Sequence, residues 1–142
     1  MATASIRERT SGSARRTVLR DLARIRVDDA RALLATKNQE QRNAAVYLAG
    51  YAVECGLKAR ICQERNDEVL NEVFEGHELW RLANVTTLFS QQPRHSTTRQ
   101  RLSALDSQWH VTMRYFILPY NHAEVDAFIK AVEEFVKWLQ LA

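Results

Sequence analysis

Apolar residues recur at every third or fourth position along most of the chain, the spacing that places them on one face of an α-helix. Polar links and the two prolines, Pro93 and Pro119, interrupt this recurrence. The acidic stretch that follows residue 63 is predicted to be a loop with a short helical piece around residues 69–74. The pattern predicts five helices, which run from Thr17 to Lys37, from Arg42 to Gln63, over residues 77–89, from Ser96 to Tyr115, and onward from residue 122.

The second and fifth helices are predicted to form the centre of the fold. The second is apolar on nearly every side, as expected of a helix that other helices surround. The fifth has the clearest three-four pattern, and Asn121 followed three positions later by Glu124 resembles a capping box at its start. The residues expected to be buried in these helices are Leu48, Ala52, Cys55, Phe128, Val132 and Phe135.

Composition supports a single all-α domain. A chain of 142 residues, 46% of them hydrophobic, can close one core, and four glycines and two prolines are too few for the turns of a β fold. We expect a helical domain over residues 17–142, preceded by a flexible basic arm over residues 1–16.

No apolar run approaches the roughly 18 residues that a membrane span requires, and no secretory signal is evident, so we expect a soluble protein without a membrane partner. Cys55 and Cys62 lie seven positions apart in one predicted helix, too far to form a disulfide, and indicate a reduced, cytoplasmic protein. The four histidines have no ligand spacing with cysteines or acids, so neither a metal nor another cofactor is expected.

The net charge of +3 is unevenly distributed and almost wholly due to arginine. Eight arginines lie between Arg7 and Arg31, and a second cluster holds Arg94, Arg99 and Arg101. Guanidinium groups bind phosphate bidentately, so a basic face of this kind suits a phosphate-bearing ligand. Solvated helix faces explain the same clusters equally well.

A polar stripe crosses the otherwise apolar second helix. Tyr47, Tyr51, Glu54 and Lys58 are separated by four, three and four residues and therefore share one helix face. Glu54 must find a partner there, because burying an isolated ion is costly. It either forms a plain ion pair with Lys58 or acts as a strut that orients Lys58 or Arg114.

Chain direction predicts which helix ends meet. If every turn of the bundle is antiparallel, the ends of helices two and four and the starts of helices three and five share one end of the fold. That end would collect Lys58, His77, Arg114, Tyr115, Tyr120 and His122. Each has an ordinary alternative role, such as capping a helix carboxyl end for Arg114 or lying at the solvent boundary for the tyrosines.

Three segments carry a resemblance to a known family. They are AAVYLAGYAVECGLKARI, then GHELWRLA, then WHVTMRY, with Glu54, Lys58, Gly76-His77 and Arg114-Tyr115 at suitable distances. Over roughly residues 17–140 the chain resembles a prokaryotic HEPN domain of the kind often encoded beside a minimal nucleotidyltransferase. The resemblance implies an up-and-down bundle of four long helices plus a shorter one, a homodimer, and a groove that binds RNA or a nucleotide.

HEPN nucleases carry an arginine, four to six intervening residues and a histidine as a metal-independent ribonuclease motif. Here seven residues separate Arg114 from His122, and Pro119 lies between them, so the sequence departs from that motif. If the two nevertheless act together, His122 would be the general acid or base and Arg114 would stabilise the phosphorane-like charge. Lys58, His77, Tyr115 and Tyr120 would bind the ligand, and Glu54 would orient them.

Three hypotheses for function follow. The first is a HEPN module that binds RNA or a nucleotide, paired with a nucleotidyltransferase in a toxin–antitoxin or defence cassette. The second is an active ribonuclease that uses Arg114 and His122. The third is a structural helical dimerisation module whose polar end serves only capping and solvation.

Overall fold

The computed structural model describes residues 5–6 and 14–142, and these residues form helices with no strand, as predicted. Six α-helices and two 3-10 helices follow one another in this part of the chain. The α-helices are α1 (Arg16–Ala35), α2 (Gln39–Arg65), α3 (Leu79–Val85), α4 (Thr87–Ser90), α5 (Thr97–Gln108) and α6 (His122–Leu141). The 3-10 helices are Glu72–Phe74 and Val111–Tyr115.

The four longest helices alternate in direction. α1 and α2 form an antiparallel hairpin, and α6 runs antiparallel to α1, since Gln140 near the end of α6 donates to the carbonyl of Arg20 near the start of α1. α5 also runs antiparallel to α6, since Arg101 approaches Glu134 and Gln108 shares a cavity with Glu124. Consequently α2 and α6 run in the same direction.

The core lies where α2 packs against α1 and α6. Fourteen residues of α2 are buried, and five of the six predicted core residues are buried as well. Leu48 is the exception, because it is only partly buried at the edge of the core. Cys55 and Cys62 are buried free thiols, as expected. The capping box at the start of α6 is confirmed, with Asn121 and Glu124 each bonding to the backbone of the other.

Two predicted helices are shorter than expected. The third is interrupted at Thr86, whose side chain bonds to the carbonyl of Ala83 and the N–H of Phe89 and so ends one helix and begins the next. The fourth ends at Gln108, because Trp109 is extended (φ −134°, ψ 135°) and directs its indole onto α2. The Arg114 segment is therefore a separate 3-10 helix rather than the last turn of α5.

The predicted basic arm falls largely on residues 1–4 and 7–13, which lie outside the described residues. Its last residues, 14–16, form backbone hydrogen bonds with residues 68–70. The N–H of Leu70 donates to the carbonyl of Ala14 (2.8 Å), and the N–H of Arg16 donates to the carbonyl of Glu68 (2.9 Å). Among the described helices, none has the length and apolar character needed to cross a membrane.

Candidate functional site

The most unusual group in the core is the carboxylate of Glu54. Its side chain is 2% exposed, and its two oxygens have different partners. Oε2 accepts from Lys58 Nζ at 3.0 Å, and Oε1 lies 3.0 Å from His77 Nδ1. The predicted pair with Lys58 is therefore present, and the side chain that Glu54 orients in addition is His77 rather than Arg114.

These contacts fix the orientation of the His77 ring. A carboxylate can only accept hydrogen bonds, so His77 Nδ1 carries a hydrogen, and in the neutral ring Nε2 is the acceptor. Lys58 Nζ also donates to the carbonyl of Glu75 at 3.3 Å, which holds the loop before His77 against α2. The His77 side chain is 47% exposed, so this oriented ring faces solvent.

His77 lines a cleft of about 230 Å³ together with Trp80, Asp106, Trp109 and His110, and we call it the His77 cleft. His110 is also fixed: its Nδ1 accepts the Thr112 N–H at 3.2 Å and lies 2.9 Å from the Thr112 hydroxyl. Because His110 Nδ1 is an acceptor, the ring hydrogen is on Nε2. The cleft thus contains one imidazole with a free acceptor and one with a free donor.

Trp109 attaches the following 3-10 helix to α2. Its Nε1 donates to the carbonyl oxygen of Tyr47 at 3.1 Å, and its ring lies against Gly50. The ring also packs near Tyr47, with centroids 6.1 Å apart. Trp109 is buried, so the start of the 3-10 helix has a fixed position on α2.

Arg114 lies over the Tyr115 ring, with 4.9 Å from the guanidinium carbon to the ring centroid. The neighbouring hydroxyls of Tyr115 and Tyr47 raise the pKa of Arg114, so Arg114 is positively charged near pH 7. Tyr115 itself is 70% exposed. Tyr47, Arg114 and Tyr115 form the Arg114 surface, where a cation lies over one face of an exposed aromatic ring.

The predicted stripe on α2 connects this surface to Glu54. The rings of Tyr47 and Tyr51 are stacked, with centroids 6.5 Å apart and planes within 8°. Burial, together with Cys55, raises the pKa of Tyr51. Burial also raises the pKa of the Cys55 thiol to about 11, although the neighbouring Tyr51 hydroxyl opposes this, so Cys55 is an unreactive neutral thiol near pH 7.

The predicted meeting of all six polar residues at one end of the fold is wrong. Lys58 and His77 contact Glu54, which is in the second half of α2, whereas Arg114 lies beside Tyr47, two turns before Glu54. The prediction counted α3 as a full member of the bundle. With only seven residues, α3 does not cross the bundle, so the chain reverses direction one time fewer than predicted. The ends of α5 and the ends of α6 therefore lie opposite to their predicted positions.

The predicted pair of Arg114 and His122 is not formed within the described part of the chain, where no hydrogen bond or ion pair joins Arg114 to His122 or Lys58. His122 is the exposed first residue of α6. Tyr120 is partly buried beside the start of α2, where its carbonyl accepts from Arg42 at 3.1 Å. Burial and the charge of Glu124 raise the pKa of Tyr120, so its phenol is neutral.

In the second basic cluster, Arg99 has a structural role and Arg94 is exposed to solvent. Arg99 donates to the carbonyls of Gln92 (3.0 Å) and Ser90 (3.1 Å) and covers the ring of Phe89, so it stabilises the turn before α5. Arg94, in contrast, is exposed and has no side-chain bond among the described residues. Arg94 is thus the suitable control for loss of a surface charge.

Trp80, Asp106 and His110 were not predicted as site residues. Nothing in their spacing relates them to His77, since they come from α3, from α5 and from the turn after α5. The aromatic and titratable composition of HELW and DSQWH is the only local signal.

Within the described residues, no group of three or more histidine, cysteine or acidic side chains could hold a metal ion. Comparison of the chain with protein-family models, curated proteins and solved structures finds no match.

Proposed function

We propose that this chain is a HEPN-like helical module that binds RNA or a nucleotide at the His77 cleft and the Arg114 surface. The observation that carries the proposal is the buried Glu54 carboxylate, which holds Lys58 and His77 beside the cleft. A well-packed apolar pair in place of a buried ion pair is often as stable or more so. A role in orienting His77 therefore explains this arrangement better than stability alone.

The side chains around the cleft suit this class of ligand. Unpaired bases stack on aromatic rings, and Trp80 and Tyr115 both present exposed ring surface. Arg114 offers a guanidinium fork that can hold a phosphate by two parallel hydrogen bonds. A single nucleotide can therefore stack its base on one of these rings and place its phosphate on Arg114.

The resemblance of the sequence to HEPN domains supports the same ligand class. Four long helices that alternate in direction, together with the short α3, are the arrangement expected of a HEPN-like bundle. The same resemblance supports a nucleotidyltransferase partner in a toxin–antitoxin or defence cassette, and co-purification with the product of an adjacent nucleotidyltransferase gene would test that part of the proposal.

Binding is tested with a short fluorescein-labelled single-stranded RNA of mixed sequence, measured by fluorescence anisotropy. Arg114→Lys keeps the charge but loses the fork, and we expect it to weaken binding roughly ten- to hundredfold, since a hydrogen bond to a charged group contributes about 1.5–3 kcal/mol. Arg94→Lys is the matched control and should bind like the unaltered protein. Equal affinity of all three proteins would contradict the proposed site.

A second candidate function is metal-independent ribonuclease activity. The observation that favours it is the complementary state of the two imidazoles in the His77 cleft. His77 Nε2 can accept the proton of a ribose 2′-hydroxyl as its oxygen attacks the adjacent phosphorus. His110 Nε2–H can donate a hydrogen bond to the phosphate oxygen on which negative charge develops, and water protonates the 5′-oxygen as the P–O5′ bond breaks, which leaves a 2′,3′-cyclic phosphate.

Cleavage is tested by incubating the protein with total RNA in the presence of a chelator. Activity that is lost in both His77→Ala and His110→Ala but kept in His122→Ala would assign the reaction to the cleft. Loss in Arg114→Ala and His122→Ala alone would instead restore the pair indicated by the sequence. RNA that is neither bound nor cut would leave a structural dimerisation module as the function.

A further inference from the structure

A groove runs between the first half of α1, the second half of α2 and the last turns of α6. It consists of two adjoining cavities of about 260 and 350 Å³, which share Arg20 and Gln140 in their walls. None of its lining residues belongs to the His77 cleft or the Arg114 surface. We call it the arginine groove.

Positive side chains follow one wall of this groove. Arg16, Arg20 and Arg24 lie four residues apart on α1, so they share a helix face and succeed one another by about 6 Å along the helix axis. Lys137 adds a cation from α6. Successive guanidinium groups can therefore contact successive anionic groups of one extended ligand.

The cations of the groove differ from the other arginines of α1 in their partners. Outside the groove, Arg26 holds Asp29 at 2.7 Å, and Arg31 holds Glu133 at 2.7 Å. Within the groove, and counting only described residues, Arg16, Arg20 and Lys137 have no ion-pair partner. Arg24 approaches Asp21 only at 3.8 Å, with both side chains well exposed. Of the α1 arginines compared, those without a close ion pair therefore line the groove, whereas Arg60, a groove residue of α2, is paired with Glu64 at 2.9 Å.

The smaller cavity adds a surface for a ring. Gly56, Ala59 and Leu139 form its apolar part, and the amides of Gln63 and Gln140 lie beside it. Gly56 allows Leu139 to pack closely on α2, since a Cβ at position 56 would lie only 3.2 Å from Leu139 Cδ1. Arginines around a small apolar surface with nearby amides match a nucleotide, which combines phosphate, a flat ring and polar ring edges.

We infer that the arginine groove binds nucleotide phosphate, either as a free nucleotide or as a unit of a single RNA strand. The phosphate lies at the Arg16 and Arg20 end, because the other end of the groove contains Asp28 and Glu133. The choice of a nucleotide ligand rests on the proposed function, whereas the position of the groove is independent of it. The RNA contacts of the chain then extend over a second surface.

The test is the anisotropy titration with the same labelled RNA at several salt concentrations. Arg16 and Arg20 have solvent-accessible side chains, so the double variant Arg16→Ala/Arg20→Ala should fold, which a melting curve checks. We expect it to bind about tenfold or more weakly and to lower the salt slope by about 1 to 2, because each lost phosphate contact removes roughly one unit. Arg94→Ala is the control and should leave affinity and slope unchanged.

Adenosine monophosphate as a competitor distinguishes the two forms of the ligand. Displacement of RNA from Arg114→Ala, which keeps the groove, but not from the double variant, supports a free nucleotide in the groove. RNA binding that depends on Arg16 and Arg20 but resists competition supports the strand. A double variant with unchanged affinity and slope overturns the groove, and if Arg114→Ala still weakens binding, the proposed function stands. Weakening in the double variant alone overturns the Arg114 site and keeps the groove.

Discussion

Trp109 lies directly on Gly50 of α2. A Cβ built at position 50 would overlap the indole ring, so glycine is needed there for close approach and not for an unusual backbone conformation. Trp109 comes five residues before Arg114. The Nε1 of Trp109 donates to the carbonyl of Tyr47, and Arg114 lies beside the side chain of the same tyrosine. A single glycine in the middle of α2 thus determines where the Arg114 surface lies.

Gly50→Ala is expected to destabilise the protein and weaken RNA binding. In a free helix this change stabilises by about 1 kcal/mol. Here overpacking against Trp109 should reverse the sign and cost roughly 1–3 kcal/mol, as measured by urea unfolding. Gly76→Ala is the matched control, because a Cβ at position 76 meets nothing within 4 Å. Equal stability of Gly50→Ala and the unaltered protein would contradict the contact.

Local signals predicted the parts of this fold that depend on local structure. The start of α6 was predicted from Asn121 and Glu124 because a capping box is completed within four residues. The sequence also predicts that α2 is apolar on nearly every side and that Glu54 is an exception. Because Lys58 lies one turn after Glu54, it is the evident partner of this buried carboxylate.

Features that depend on distant contacts were not predictable from spacing. His77 reaches Glu54 across 23 residues, and no periodicity relates the two positions. The end of α5 at Gln108 depends on the space that Gly50 leaves for Trp109. The sequence predicts α3 as a helix but overestimates its length, and the length decides whether α3 crosses the bundle and reverses the chain. Because α3 is short, Arg114 lies at the opposite end of α2 from the one predicted.

Phe128→Ala and Phe135→Ala should each cost about 3–5 kcal/mol, because both rings are buried in the core of α6 and their loss leaves a cavity. That loss is a large part of the roughly 5–15 kcal/mol that stabilises a domain. Val73→Ala truncates an apolar side chain that is 72% exposed and lies outside the core, so it should change stability little. Melting curves of the three variants compare these effects, and an unchanged transition in either core variant would refute the core assignment.

Glu64→Gln should make stability less dependent on acid pH. Burial raises the pKa of Glu64, but hydrogen bonds from the N–H groups of Thr87 and Leu88 and from Arg60 outweigh it, so the pKa lies below its ordinary 4.5. The carboxylate therefore stabilises the fold fully above about pH 4.5 and loses this effect as pH falls through its lower, folded-state value.

At pH 7 we expect Glu64→Gln to be less stable by about 1–3 kcal/mol in urea unfolding, because bonds to a charged acceptor are replaced by neutral ones. The difference from the unaltered protein should shrink as the pH is lowered below 4.5. Glu68→Gln alters an exposed carboxylate that has no side-chain partner among the described residues and should show a small difference at every pH. A constant difference for Glu64→Gln across the series would exclude this explanation.

We expect the protein to be a homodimer. Phe116 (61% exposed) and Ile117 (82% exposed) follow Tyr115 directly, and Leu118 continues this apolar surface. Ile117→Asp should shift sedimentation from a dimer toward the 16.4 kDa monomer, whereas Leu141→Asp, a change at another exposed apolar residue, should not. An unaltered protein that sediments as a monomer at micromolar concentration would rule the dimer out.

Variants of Glu54 and Lys58 separate the stability of the fold from its function. Glu54→Ala leaves Lys58 buried without a countercharge and should cost about 3–5 kcal/mol. The double change Glu54→Leu/Lys58→Met replaces the pair by apolar groups and should recover most of that loss in urea unfolding. RNA binding should remain weak in the double variant, because His77 loses the carboxylate that orients it. Recovered stability with full RNA affinity would show that Glu54 and Lys58 serve the core alone.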